Sequence, residues 1–184
     1  LPISMDAVKY AWPRSQVMSS KLFCNFNRPR MSCTALLLHG HLCLSVLTPN
    51  TISCNASRTA EIVAHGLSFL IQKNVDLRNA FFHLQADNAS KECKNQCLLR
   101  HLGVQVALKK LKGAQMSFLT SGHSHEDVDA MFGVLRTWIQ RSPELWTPMD
   151  FQQCLQSFFD NPGHRPFEKY RKVVMMNSFR DWIL

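Results

Sequence analysis

Between Thr120 and Gly133 the chain reads TSGHSHEDVDAMFG, with His123, His125, Glu126, Asp127 and Asp129 inside seven residues. Imidazole and carboxylate groups at this density are the raw material of a metal site. His123, His125 and Asp127 have the His-x-His-x-Asp spacing that zinc hydrolases use. Carboxylates held together repel unless a proton or cation lies between them, so Asp127 and Asp129 also suit Mg2+ or Mn2+. A plainer reading runs beside both. Ser124 with Asp127 three positions on has the form of a helix amino-terminal cap, and acids favour that end of a helix through its dipole. On this reading Asp127 only caps. His123, next to Gly122, then positions a phosphate or metal or donates a hydrogen bond to a neighbouring acid, and His125 faces solvent.

A further acid stands upstream. Asn79 to Asp87, NAFFHLQAD, alternates Phe82, Leu84 and Ala86 against Phe81, His83, Gln85 and Asp87, which is the pattern of a strand ending in an acid. In sheets covered by helices, ligands gather beyond the carboxyl ends of strands. Asp87, Asp127 and Asp129 would meet there if their strands are neighbours. Two divalent ions about 4 Å apart in such a cluster activate a water and stabilise the leaving oxygen of a phosphodiester. The plain alternative makes Asp87 a turn residue and Asn88 the former of an Asx turn.

The elements that must position these groups follow from the apolar spacing. Residues 31 to 47, MSCTALLLHGHLCLSVL, read as two strands joined by a turn at His39-Gly40-His41, whose histidines are expected to have no further role. From Asn55 or Ser57 as cap, Ala60, Ile62, Val63, Leu67, Leu70 and Ile71 recur at helical spacing up to about Lys73. Residues 90 to 112 are expected to be helical, with Cys97, Leu98, Leu102, Val106 and Leu111 inward and Gly113 closing the helix. Gln115 to Leu119 is a short strand, and Val128, Met131, Phe132, Leu135 and Ile139 form the stripe of the next helix. A last helix runs from about Met149 to Phe159 before the break at Asn161-Pro162-Gly163, and the basic, aromatic tail after it has no clear pattern. A hairpin followed by alternating helices and strands implies an α/β fold with a mixed sheet. The expected division is a core over residues 1–142 and a helical, basic extension over 143–184.

With 184 residues, 46% of them apolar, the chain is long enough for one domain with a sizeable core. Lys and Arg outnumber Asp and Glu by 21 to 13, which suits a phosphate-rich partner. The exception is 113–135, which holds three acids and no Lys or Arg. An acidic point in a basic chain is expected where cations are held beside a polyanion. Seven cysteines without a CxxC pair suit a reducing compartment, and Cys93 and Cys97, four apart, are more simply buried thiols than metal ligands. No apolar run reaches the length of a membrane span and no secretory signal is visible, so the expected location is nuclear or cytoplasmic. The chain starts at Leu1 rather than Met, which leaves room for residues ahead of it.

The block Asp87-Asn88-Ala89-Ser90-Lys91-Glu92-Cys93-Lys94-Asn95-Gln96, about thirty residues before GHSHEDVDAMFG, resembles a large group of transposase-like proteins abundant in protist genomes, especially those of dinoflagellates. Their signature runs roughly D-N-x-x-x-x-x-K-N, then G-H-[TS]-x-x-x-x-D-x-x-F. The opening Met5-Asp6-Ala7-Val8-Lys9-Tyr10, followed by Pro13-Arg14, is also similar to theirs. The resemblance implies a ribonuclease-H-like integrase core of the DDE/DDD kind, in which acids from the first strand, a middle strand and a late helix hold two Mg2+ or Mn2+. Asp87 would be the middle acid and Asp129, 42 positions later, the late one. For the first acid the relatives read D-x-M-D where this chain has Ile3-Ser4-Met5-Asp6; either Asp6 serves or the first acid is missing and the copy is a relic.

The implied activity is metal-dependent cleavage and strand transfer on DNA, with Asn88, His123 and Asp127 supporting and Lys91, Lys94 and Arg100 as candidate contacts to the DNA backbone. A non-catalytic protein that keeps the core to bind DNA or another chain is the alternative. A zinc hydrolase similar to metallo-β-lactamases is a weaker rival, because Val128 stands where that H-x-H-x-D-H motif has its last histidine. No zinc finger or helix-turn-helix motif announces a DNA sequence, and the oligomeric state is not legible.

Overall fold

The computed structural model describes residues 2–15, 28–86, 96–118, 127–142, 144–163 and 168–179, with Asp6 described by its backbone alone. In chain order the elements are β1 (Pro2–Ala11), β2 (Arg14–Ser15), β3 (Arg30–Leu38), β4 (Leu42–Pro49), α1 (Ala56–Gln72), β5 (Phe81–Ala86), α2 (Gln96–Ala107), β6 (Gly113–Phe118), α3 (Asp127–Arg141), β7 (Glu144–Leu145), α4 (Pro148–Asp160) and β8 (Tyr170–Met175). Six strands form one mixed sheet in the order β6-β5-β1-β3-β4-β8, and β2 and β7 make a small separate pair. β3 runs antiparallel to both β1 and β4, whereas β5 is parallel to β1 and to β6. The fold is therefore mixed α/β, as the alternation of patterns implies.

The two-residue period of the strands sorts side chains between two cores. Ile3, Met5, Leu36, Leu38, Leu42, Leu44, Phe82 and Leu84 face α1 and α2. Tyr10, Cys33, Ala35, Leu37, Cys43 and Leu47 face α3 and α4. The sheet is thus covered by a helix pair on each side. The hairpin strands β3 and β4, buried on both faces, carry near-continuous apolar runs for this reason. The cysteines in them are core residues. Burial pushes the Cys33 thiol up to about 12 and raises Cys43 further, so neither is a nucleophile at neutral pH. All five cysteines among the described residues are unpaired.

Local signals hold at the helix starts. Asn55 caps α1, its side chain accepting from the Arg58 N–H at 3.0 Å. At α4, the Thr147 hydroxyl accepts from the Asp150 N–H at 3.1 Å and the Asp150 carboxylate accepts from the Thr147 N–H at 2.7 Å, a reciprocal pair that closes two orphan donors. The stripe Val128, Met131, Phe132, Leu135 and Ile139 is the buried face of α3.

Two expectations change. Gly113 does not close α2, which ends at Ala107; the chain turns instead through Lys109 in the left-handed region at φ 53°. Gly113 opens β6 opposite Phe81, whose ring lies 2.7 Å from where a Cβ would stand. The glycine is there for cross-strand room rather than for a cap. The unassigned tail contains β8, which pairs in parallel with β4, and α4 packs in the same core as α3. Residues beyond 143 therefore contribute a helix and an edge strand to the main body.

His101 is buried where α2 meets α1, and burial is the main cause that lowers its pKa, with Lys110 adding to it and Glu61 opposing. A histidine that stays neutral in the folded state and protonates more readily when unfolded stabilises the fold above the unfolded value near 6.5 and loses that contribution as pH falls below it. The melting temperature of the wild type should therefore fall between pH 7.5 and 5 more steeply than that of His101→Gln. Parallel curves for the two proteins would mean that His101 is not buried at this interface.

Candidate functional site

The register of the sheet decides where the acids can go. β1 and β5 run side by side in the same direction, and their last paired rung is Met5 with Ala86. Asp6 is the next residue along β1, in the centre of the sheet and paired with Ala35 on its other side. Position 87 is the next residue after β5 and lies outside the described residues, as do Asn88, Lys91, Lys94, Glu92, His123, His125 and Ser124.

α3 supplies the two described acids of the motif. Asp127 and Asp129 both lie in its first turn, where the helix dipole favours them. Asp127 is 79% exposed and its carboxylate lies 3.7 Å from Nδ1 of His39, in the β3–β4 turn. Glu168 approaches the same nitrogen at 3.7 Å, and Nε2 of His39 is 3.1 Å from the Ser4 hydroxyl on β1. Ser, His and acid in this order suggest a nucleophile relay, but 3.7 Å exceeds hydrogen-bond range and Ser4 is only 8% exposed within a central strand. The cluster is instead a meeting point of four segments. At it the hairpin turn, β1, the start of α3 and the residues before β8 come together, and beside it the Tyr170 N–H donates to the His41 carbonyl at 2.8 Å. His39, expected to be a bystander, thus lies between Ser4 of β1 and the acidic start of α3.

From this point α3 tracks β1. Asp127 is beside His39 and hence near Ser4, whereas Phe132, Gly133, Arg136 and Gln140 line a groove with Val8, Lys9, Tyr10 and Ala11. Asp129, partly exposed, is one turn before Gly133 on the same helix stripe, which continues to Arg136 and Gln140. The groove has a volume of about 680 Å3 and is also lined by Arg14, Ser15 and Arg28.

Several expected groups are not brought together. Arg100 is on α2, on the opposite side of the sheet from α3, and its guanidinium donates to Gln96 Oε1 at 3.1 Å. Among the described residues no three His, Cys, Asp or Glu side chains gather closely enough to hold a metal. For zinc, Asp127 has only His39 close by among the described histidines, and that nitrogen is shared with Glu168. For Mg2+ or Mn2+, Asp129 offers carboxylate oxygens of the right chemistry in the first turn of α3, while the side chains of Asp6 and Asp87 lie outside the described residues. No helix among the described residues is long and apolar enough to cross a membrane.

Residues 23–184 match a domain family described as "Domain of unknown function (DUF7869)". No curated protein and no solved structure matches the chain.

Proposed function

The chain belongs to the DUF7869 family, and from its motifs and sheet order we propose that it is a DNA-processing protein of transposon origin, with a ribonuclease-H-like core that cleaves and joins phosphodiesters using divalent cations. The observation that carries this reading is the parallel register of β1 with β5. Its last rung, Met5 with Ala86, sets Asp6 level with the carboxyl end of β5, and the start of α3, which carries Asp129, meets β1 through His39 and Ser4. First strand, middle strand and late helix are the three places from which the transposase-like resemblance draws its acids. The antiparallel hairpin followed by alternating helices and strands supports the same reading.

In this account Asp6, Asp87 and Asp129 would hold Mg2+ or Mn2+, which supplies an activated water and charge stabilisation at the leaving oxygen. The chain's own part is positional. The sheet fixes Asp6 between β3 and β5. The buried stripe of α3 from Val128 to Ile139 holds its first turn, and with it Asp129, against the sheet. Asp127 faces His39 rather than the reaction. DNA as substrate, with the absence of disulfides among the described cysteines, supports a nuclear or cytoplasmic location in this reading.

One observation favours a second reading, DNA binding without cleavage. The groove that α3 forms with β1 is lined by Lys9, Arg14, Arg28 and Arg136 and by no Asp or Glu among the described residues, a surface that suits phosphate whether or not cleavage follows. Incubation of the purified protein with supercoiled plasmid separates the two. Nicking that needs Mn2+ and stops with EDTA supports the catalytic reading; retarded but intact DNA supports the binding one; neither effect overturns both.

A further inference from the structure

The groove between α3 and the carboxyl half of β1 is lined by four cations, Lys9, Arg14, Arg28 and Arg136, and by no Asp or Glu among the described residues. They come from three separate parts of the chain: β1 and the β2 that follows it, the approach to β3, and α3. The convergence is a product of the fold, not of one basic run. We propose that this groove is a binding site for the phosphodiester backbone of a nucleic acid. The proposal deepens the reading given above, since it assigns the surface along which DNA would reach the acidic end of α3.

Chemistry and position both point to a polymer backbone. Lys9 and Arg136 are exposed and Arg14 is half-buried, so their charged ends are available to phosphate oxygens at the surface. The aromatic residues of the groove, Tyr10 and Phe132, are 6% and 8% exposed; their rings serve as walls and offer no open face for stacking bases. Cations without stacking platforms bind phosphate without regard to sequence, and an intact duplex meets the requirement as well as a single strand. The direction of the groove also matters. Arg136 and Gly133 lie on the same stripe of α3 as Asp129, and Val8 and Tyr10 follow Asp6 on β1, so a backbone held by Arg14 and Arg136 runs toward the two acids. Arg28 donates to the Pro13 carbonyl at 3.3 Å and so also holds the rim in shape.

The test measures binding alone. Fluorescence anisotropy with 20-base-pair duplexes of unrelated sequences, in EDTA, reads affinity across salt concentrations without any contribution from metal chemistry. Lys9→Ala/Arg14→Ala/Arg136→Ala should lower affinity at least about tenfold on every sequence and reduce the slope of log K against log salt by about 3, roughly 0.9 for each phosphate that is no longer neutralised. Arg136→Ala alone, a change on an exposed helix face, should remove about 1 from the slope, and Arg136→Lys should restore most of it. Lys109→Ala/Lys110→Ala, at the far end of α2, should leave the slope unchanged. Unchanged binding in both the triple and the single groove variants overturns the proposal, as does displacement of the duplex by ATP or inorganic phosphate at concentrations comparable to its own, which would assign the groove to a small phosphate ligand. Nicking by wild-type protein together with normal binding by the groove variants would sink this inference and leave the catalytic reading standing; salt-sensitive groove binding without nicking would do the reverse.

Discussion

Asp129→Ala should reduce Mn2+-dependent nicking of supercoiled DNA by on the order of a thousandfold or more, equivalent to ~4 kcal/mol of transition-state stabilisation. A carboxylate that shares a divalent cation cannot be removed at small cost, because the ion loses both a ligand and the charge that holds it. Asp87→Ala should behave in the same way. Asp127→Ala is the informative contrast: its side chain is mostly exposed and faces His39, so activity should change by less than about tenfold. DNA binding in EDTA should survive all three substitutions, since no acid lines the groove among the described residues. Equal activity in wild type and Asp129→Ala, with nicking still metal-dependent, would assign the chemistry to other residues.

The second large effect is on stability. Phe158→Ala should destabilise the protein by about 3–5 kcal/mol in urea denaturation. Phe158 is fully buried beneath the face of the sheet that carries the groove, its ring centroid 6.1 Å from Trp138 of α3 and 5.2 Å from Phe159. Truncation leaves a cavity where α3 and α4 meet, so the loss combines transfer and packing terms. It should also loosen α3 and weaken DNA binding near the unfolding midpoint. Met149→Ala, on the exposed side of α4's first turn, should cost less than about 0.5 kcal/mol. A loss below about 1 kcal/mol in Phe158→Ala would mean that α4 does not pack on α3 in this way.

How much of the fold is legible in the sequence depends on the range of the interaction that fixes each feature. Asn55 bonds three residues on, and its cap is readable. The alternation of Phe82, Leu84 and Ala86 and the stripe from Val128 to Ile139 report burial on one side of a single element, and both hold. Gly113 misleads because glycine after a helical pattern is also what a cap needs; only the partner strand shows that Phe81 requires the space. β8 escapes the pattern because Val173 is its one buried residue and Arg171 and Lys172 interrupt it, as an edge strand allows. His39 reads as a bystander because Ser4, Asp127 and Glu168 are 35, 88 and 129 positions away. Net positive charge is visible, but its concentration in one groove is not, since Lys9 and Arg136 meet only through the packing of α3 on β1. The acids Asp87, Asp129 and Asp6 rest on motif resemblance, and the sheet register adds the adjacency of β1 and β5 to it.

The central claim is that three carboxylates from β1, the end of β5 and α3 share divalent cations. Anomalous scattering from crystals grown with Mn2+ tests it most directly. The account predicts manganese within about 2.5 Å of carboxylate oxygens of Asp129, Asp87 and Asp6, at the Asp129 end of the basic groove. Well-ordered Asp87 and Asp129 carboxyl groups more than about 10 Å apart, with no manganese between them, would contradict it.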